Sequence, residues 1–365
     1  MAQPSCNRLR PPGQTLAEWS RRTACHRGGR AFSLARMNPP VVVVGAFVQD
    51  LNWRCAQFPR AGETVIGNFA SGPGGKGFNQ AVAAGRAGVA AVFLGAVGRD
   101  GFAEAAKKFC QAEGVGARFI TKPKHATATA AVLVNAAGQN QIIVDLGASA
   151  HLQPRDIEAG LIRGAKVVIC QHEANLPLNA HVFRLARRAG VTTVLNPAPM
   201  RADFDSSVLA LVDVLIPNET EFVALVNLLP ETAALAREQP FGDFGAFGEP
   251  TLHALSPGDL HRLCRALAVP TVIITLGKRG CFVSQADGHA FIPAHTGLTV
   301  VDTTGAGDAF VGGFAAGLVQ TGGDLVAAAR HGNTVAALSV TKLGTARSMP
   351  SRGEIARFLR RRQPA

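Results

Sequence analysis

Apolar residues along this chain fall into blocks of two kinds. "VVVVGAF" (41–47), "VFLGAVG" (92–98), "AKVVICQ" (165–171), "VTTVLNP" (191–197), "VDVLIPN" (212–218) and "PTVIITLG" (270–277) are short apolar runs. Unbroken runs of this length mark strands buried on both faces, as in the centre of a parallel sheet. Segments with helical spacing lie between them. "NQAVAAGRAG" (79–88) predicts a helix of small residues, and "FAEAAKKFCQAEG" (102–114) an amphipathic helix that ends in glycine. This alternation predicts the α/β class: a doubly wound, mostly parallel sheet flanked by helices.

Two stretches break the rhythm. "GETVIGNFASG" (62–72) and "ATATAAVLVNAAGQNQIIVDLG" (126–147) read as strands without helices, the second as a hairpin around "NAAGQN". They predict a small antiparallel β lid on the main sheet, with strands within about 48–72 and 126–147. The Pro- and Gly-rich segment 230–259 predicts a long surface insertion. Residues 1–37 have no sustained apolar period and predict a disordered basic extension, leaving 38–365 as the folded domain. A transit peptide would share that Arg-rich, acid-poor composition. Met37, placed directly before the first buried strand, favours a dispensable extension.

Composition narrows the class. With 365 residues, 47% of them apolar, the chain can bury a sizeable core. No apolar run approaches the roughly 20 residues of a membrane helix. The seven cysteines are scattered, with no Cys-x-x-Cys pair. That argues against a zinc site or a disulfide framework and predicts a reducing, cytoplasmic setting. The net charge of +12 invites a nucleic-acid reading, but residues 1–36 alone carry seven arginines against one acid, Glu18. Half of the excess therefore sits in the extension, and more in the terminal "RFLRRRQ". No basic-aromatic interleaving accompanies it, so no nucleic-acid partner is expected.

Candidate chemistry concentrates in two glycine-rich turns. In "VDTTGAGDAF" (301–310) a turn passes into a helix. The first N–H groups of such a helix, here those of Gly305, Ala306 and Gly307, form an anion site together with the helix dipole. Asp308 falls in the first helical turn, beside that site. An acid there suits a base that takes the proton of a hydroxyl attacking phosphorus. The plainer reading is a capping acid after turn glycines. In "SGPGGKGFNQAVAAGRAG" (71–88), Gly77 stands where a P-loop requires Ser or Thr, and Ala70 where it requires its first Gly. A Walker A loop is thereby excluded, and no dinucleotide fingerprint is present. Gly74 and Gly75 instead let the backbone approach a small polyol, with Lys76 and Asn79 as hydrogen-bonding groups. The plainer reading is an exposed lysine and a helix-capping asparagine.

These two motifs, in this order and about 230 residues apart, resemble the ribokinase/PfkB family of carbohydrate kinases. The likeness runs from 41 to 357 and includes "FPRAGETVIGN" (58–68), "LNPAP" (195–199), "IPNETE" (216–221), "ITLGKRG" (274–280) and "KLGTARSMPSRGEI" (342–355). The resemblance implies an ATP-dependent sugar kinase, D-ribose to D-ribose 5-phosphate being the default reaction. It makes Asp308 the catalytic base and Gly305, Ala306 and Gly307 the anion hole. It places sugar contacts at Asp50, Gly75, Lys76, Asn79 and Glu173. ATP contacts fall at Asn218, Thr275, Gly277, Gly307 and Asn333. Asn218 and Glu221 match an Asn-x-x-Glu motif that organises Mg²⁺ through water, and hard oxygen ligands suit that ion. Asp302, the carbonyls of Thr304, Ser339, Lys342 and Gly344, and Ser348 match a K⁺ site. A homodimer formed through the β lid is also implied.

The sequence departs from the family at the sugar end. Gly-Ser-x-Asn-x-Asp is typical after the first strand, and this chain has "GAFVQD" (45–50). Asp50 is kept, but Val48 replaces a hydrogen-bonding Asn. A buried hydroxyl left unpaired costs about 1–3 kcal/mol, enough to redirect specificity toward a 2-deoxy sugar. Gln49 compensates only if the strand is bulged. Phe78, where Ala is usual, is expected to narrow the pocket. A nucleoside kinase of the same family is a further alternative. A non-catalytic sugar-binding regulator is the reading from another class, and the joint presence of Asp308, Asn218 and Glu221 speaks against it.

Overall fold

The computed structural model describes residues 39–236, 252 and 254–362. The expected basic extension and the centre of the expected insertion lie outside the described residues.

The main sheet has nine strands. In chain order they are β1 (Val41–Val44), β4 (Ala91–Val97), β5 (Gly116–Thr121), β8 (Val167–Cys170), β9 (Thr192–Leu195), β10 (Val214–Leu215), β11 (Thr271–Thr275), β12 (Gly280–Gln285) and β13 (Gly288–Pro293). Their spatial order is β13-β12-β11-β10-β9-β8-β1-β4-β5. Every pairing from β11 to β5 is parallel, and β12 and β13 add an antiparallel edge. The four valines of β1 show why the runs are continuous. Val41 and Val43 pack on one face of the sheet, while Val42 and Val44 pack on the other, and all four are buried. On the first face lie α1 (Lys76–Arg86), α8 (Ala306–Gln320) and α9 (Leu325–Ser339). On the second lie α4 (Leu176–Arg188), α5 (Glu219–Leu228) and α7 (Pro257–Ala266). This is the expected doubly wound architecture.

The predicted amphipathic helix is α2 (Gly101–Glu113), capped by the Asp100 carboxylate, which accepts the Ala103 N–H, and closed by Gly114. Short helices α3 (Ala159–Arg163) and α6 (Pro230–Ala236) precede β8 and follow α5, so the first seven residues of the expected insertion are helical. The chain closes on α10 (Arg352–Arg360). Among the described residues, no helix is long and apolar enough to cross a membrane.

The lid is a separate sheet of β2 (Val48–Arg54), β3 (Asn68–Gly74), β6 (Thr129–Val134) and β7 (Asn140–Asp145), ordered β3-β2-β6-β7. Its outer pairings, β2 with β3 and β6 with β7, are antiparallel, as expected. The central pairing of β2 with β6 is parallel. Residues 62–67, read as strand from sequence, are irregular, and β3 starts at Asn68. The β6–β7 turn is built by Asn135, whose side-chain oxygen accepts the N–H groups of Ala137 and Gln139.

Strand β1 ends at Val44 because the chain must cross from the main sheet to the lid. The crossing passes Gly77 so closely that a Cβ on Gly45 would stand 3.0 Å from the Gly77 Cα. Beyond it, β2 pairs without interruption from Val48 with Gly74 to Arg54 with Asn68. The strand is therefore not bulged, and Gln49 does not take over the role of the missing Asn. Its amide donates to the Gly72 carbonyl at 2.9 Å.

Candidate active site

Residues singled out from sequence gather beyond the C-terminal ends of the parallel strands, where open α/β sheets bind ligands. Asp50 follows β1, Glu173 follows β8, Asn218 follows β10, and Thr275 ends β11.

The sugar side is built by the start of α1. Gly75 precedes the helix with φ +92, a left-handed conformation that glycine adopts without strain. The approach also forbids a side chain: a Cβ on Gly75 would stand 2.7 Å from the Ala46 carbonyl oxygen and from the Val48 nitrogen. The Lys76 N–H donates to Glu173 Oε2 at 2.6 Å. Asn79 is not the helix cap. It is buried, and its Nδ2 donates to Asp308 Oδ2 at 2.9 Å, while its Oδ1 has no partner among the described residues. Thr345 Oγ1 lies 3.1 Å from both Asp50 Oδ2 and the Pro73 carbonyl, tying the sugar-side acid to the base of the lid.

The anion turn is built by the start of α8. Gly305 caps it in the left-handed region, φ +80. The Ala306 N–H donates to the Thr303 carbonyl at 3.2 Å. Those of Gly305 and Gly307 have no protein acceptor among the described residues. Asp308 is 8% exposed, and Gln80 Nε2 donates to its second oxygen, Oδ1, at 3.0 Å.

The electrostatics follow from carboxylates crowded around one lysine. Burial raises the Asp308 carboxyl above its ordinary range, partly opposed by Lys76, Asn79 and Gln80. Burial lifts Glu173 to about 7, with Lys76 opposing and Asp308 and Asp50 adding to the rise. Burial lifts Asp50 to about 6, with Thr345 opposing and Asp308 adding. Glu221 is raised by burial as well, against the hydrogen bond from Asn218. Burial pulls the Lys76 ammonium down, but Asp308, Glu173 and Glu221 outweigh it and leave it above its ordinary value. Such a lining accepts hydrogen bonds from a neutral polyol and repels an anionic sugar.

On the nucleotide side, Asn218 caps α5. Its side chain accepts the Glu221 N–H at 2.8 Å, and Glu221 Oε2 accepts the Asn218 N–H at 2.9 Å. One Glu221 oxygen is left outside this box, which fits an ion that keeps its own waters. Thr275 bridges to Asn218, its N–H donating to the Pro217 carbonyl at 3.0 Å. Gly277 lies in the turn that follows. Asn333, on α9, donates to the Pro293 carbonyl at 2.7 Å, and no hydrogen bond among the described residues joins it to Thr275 or Gly277. Among the residues expected to hold a cation, Asp302 ties two loops together: Oδ1 accepts the Thr304 N–H at 2.9 Å and Oδ2 the Gly344 N–H at 3.0 Å. The Ser339 carbonyl accepts the Lys342 N–H, and Ser348 Oγ donates to the Thr345 carbonyl at 2.8 Å. This all-oxygen set suits a hard cation.

Two expectations are corrected. The Ala306 N–H, expected in the anion hole, is already held by the Thr303 carbonyl. Phe78 does not narrow the pocket. It is fully buried in the core, edge-on to Phe47 at 5.0 Å and to Phe93 at 5.3 Å. It lies at the next helical position before Asn79, which turns its side chain about 100° away. Gln80 and Thr345 were missed. A lone glutamine in "FNQAVAAG", a helix of small and apolar residues, was the available signal for Gln80. Thr345 gave none, since its partner Asp50 lies 295 positions away.

The family described as pfkB family carbohydrate kinase matches residues 38–246 and 253–352. A ribokinase of Mus musculus is 33% identical over 341 residues, 91% of this chain and 98% of that protein. A deoxyribokinase of Salmonella typhi is 31% identical over 322 residues, covering 85% of this chain and 95% of its own. The solved structure of Arabidopsis thaliana ribokinase complexed with ribose and ATP matches with a TM-score of 0.72 at 27% identity, over 88% of this chain and 99% of that one.

Proposed function

Because the chain belongs to the pfkB family of carbohydrate kinases, we propose that it transfers the γ-phosphoryl of ATP to a pentose hydroxyl, by default D-ribose to D-ribose 5-phosphate. The observation that carries this reading is the buried Asp308 carboxylate, held by Asn79 and Gln80 in the first turn of α8. The sugar hydroxyl gives its proton to Asp308 as its oxygen bonds to phosphorus, and the bond from phosphorus to the leaving ADP oxygen breaks. The Gly305 and Gly307 N–H groups face the charge on the transferring group. Asn79 Oδ1, buried without a partner among the described residues, accepts a sugar hydroxyl, as do Asp50 and Glu173.

Asn218 and Glu221 would hold hydrated Mg²⁺, which neutralises phosphate charge when bound. Asp302, the carbonyls of Thr304, Ser339, Lys342 and Gly344, and Ser348 would hold K⁺ behind the anion turn. Gly277, Thr275 and Asn333 would contact the nucleotide. A homodimer through the lid is supported by its edge strand β7, where Ile143 is 76% exposed beside exposed Ile142 and Val144.

A second reading, 2-deoxyribose as the preferred sugar, is favoured by Val48. It is buried against Ala46, Ala128 and Ala130 and shares a sheet face with Asp50, so the wall beside that acid is apolar. A coupled ADP-release screen over ribose, 2-deoxyribose, hexoses and nucleosides, with and without K⁺, tests both. Pentose-dependent ADP release is expected. Release only with a purine nucleoside would replace the substrate, and none with any sugar would refute the reading. A strong ribose preference would sink the second reading alone.

A further inference from the structure

Beneath the sugar side lies a row of buried amides that make no contact with substrate in the reaction above. Gln80 is fully buried on α1. Its Oε1 accepts Gln171 Nε2 at 2.6 Å. Its Nε2 has two protons: one goes to Asp308 Oδ1 at 3.0 Å and the other to Asn196 Oδ1 at 3.1 Å. Asn196 in turn donates to the Ile216 carbonyl at 2.8 Å. Gln171 is 1% exposed, and its side chain fills the space left by two glycines. A Cβ on Gly45 would stand 2.1 Å from Gln171 Oε1, and one on Gly77 2.7 Å from it. The Gln171 backbone carbonyl is fixed by Asn179 Nδ2 at 2.9 Å.

We infer that Gln80 is a positioning residue for phosphoryl transfer: Gln171 fixes the direction of the Gln80 amide, and that amide fixes the rotamer of Asp308 so that its carboxylate meets the sugar hydroxyl. The inference rests on Asp308 being the base.

The direction of the Gln80 amide is forced from both of its ends, whereas Gln171 Oε1 is buried with no partner among the described residues. A side-chain amide has one accepting end and one donating end. The Gln171 donor therefore turns the accepting end of Gln80 toward itself and the donating end toward Asp308. Reversed, Gln80 would set an oxygen against the carboxylate and leave the Gln171 donor buried and unpaired, a costly arrangement. Asn79 and Gln80, adjacent on α1, divide the work. Asn79 holds Oδ2 and keeps its own oxygen free for substrate, whereas Gln80 holds Oδ1 from below. The charged groups that act on Asp308 are Lys76 on α1, Asp50 on β2, Glu173 beyond β8 and Glu221 on α5. Lys76 favours its ionised form, and the charge on Asp308 in turn raises the carboxyls of the three acids. The Gln80 N–H sides with Lys76, so its loss moves Asp308 toward protonation.

The test compares Gln80→Met with Gln171→Met, two replacements of similar length. Gln80→Met should lower kcat about 10- to 100-fold, less than the roughly 100- to 1,000-fold of a lost donor to the reacting group itself, with the KM for ATP within about twofold. It should also move the acid limb of the kcat–pH profile to higher pH. Gln171→Met keeps both Gln80 donors but frees their direction, and should give the same limb shift with a smaller fall in kcat. The double variant should be no worse than Gln80→Met, because both act through one contact. An unmoved acid limb in both variants, or additive losses, overturns the inference. If Gln80→Met does not fold, Gln171→Met decides on the same limb. Asp308→Asn separates the two readings. Near-normal turnover in it removes the base, whereas an inactive Asp308→Asn beside a normal Gln80→Met removes only the role of Gln80.

Discussion

Replacing Glu173 by glutamine should stabilise the fold while weakening sugar use. Burial holds the folded Glu173 carboxyl at about 7 against an ordinary 4.5. Below about pH 4.5 both the folded and unfolded chains are protonated there, and the group is neutral to stability. Between about 4.5 and 7 the unfolded chain ionises first, so stability falls as pH rises, and the full cost applies above about 7. That displacement corresponds to roughly 3 kcal/mol. Glutamine keeps an oxygen to accept the Lys76 N–H now held at 2.6 Å, but it adds N–H groups that need partners and removes one counter-charge from Lys76. A net gain of about 1–2 kcal/mol at pH 8 should remain after a cost of about 1 kcal/mol for an imperfectly paired amide. Urea unfolding of both proteins, followed by far-ultraviolet circular dichroism from pH 4.5 to 8, measures it. At the acid end the glutamine variant should be the less stable by about 1 kcal/mol, the cost of its amide, and the order should reverse as pH rises. A glutamine variant no more stable at pH 8, or a gain of equal size at every pH, would refute the reasoning. The KM for sugar should rise in the same variant, because an acceptor for a hydroxyl has been weakened.

Asp308→Asn should cut turnover by about a thousandfold or more while ATP binding, measured by calorimetry, changes little; loss within tenfold would remove Asp308 as base. Gly75→Ala forces a side chain at φ +92 to within 2.7 Å of two β1–β2 backbone atoms, so at least about 2 kcal/mol of stability should be lost. An unchanged thermal midpoint would contradict that geometry. Asp302→Ala cuts the two bonds joining the anion turn to Gly344; a potassium titration should show the dependence on K⁺ abolished, and an unaltered titration would detach Asp302 from the cation. Ile143→Glu on the exposed edge of the lid should give a monomer by sedimentation, and an undiminished dimer would place the interface elsewhere.

How much was legible in the sequence depended on how local its cause was. The valines of β1 announce a strand buried on both faces because each residue reports its own surroundings. Asp100, Gly114 and Asn135 likewise act within a few residues of themselves, so the ends of α2 and the lid hairpin were readable. The parallel pairing of β2 with β6 was not, since it joins Gln49 to Thr129 across three strands and two helices. Phe78 misled because a motif position carries no facing: the residue beside a sugar contact points into the core. Gln80 was invisible as a partner of Asp308 because 228 positions separate them.

What closes that distance is the smallness of two helices. "AVAAG" on α1 and "VGGFAAG" on α8 are runs of small and apolar residues. In the fold they are the reason the two motifs form one site. A Cβ on Gly312 would stand 2.3 Å from the Gln80 carbonyl oxygen and 2.6 Å from the Ala83 Cβ, so the two helices touch backbone to backbone there. Gly312 lies about one turn beyond Asp308, and the carbonyl it touches belongs to the residue whose amide holds that acid. A larger residue at the crossing would push α8 away from α1. It would lengthen the Asn79 and Gln80 bonds to Asp308 without altering any group that takes part in the chemistry. The small-residue crossing therefore sets the distance between the start of α1 and the first turn of α8; in the proposed reaction the glycines of α8 would act through packing, and those of its cap through N–H groups that have no protein acceptor among the described residues.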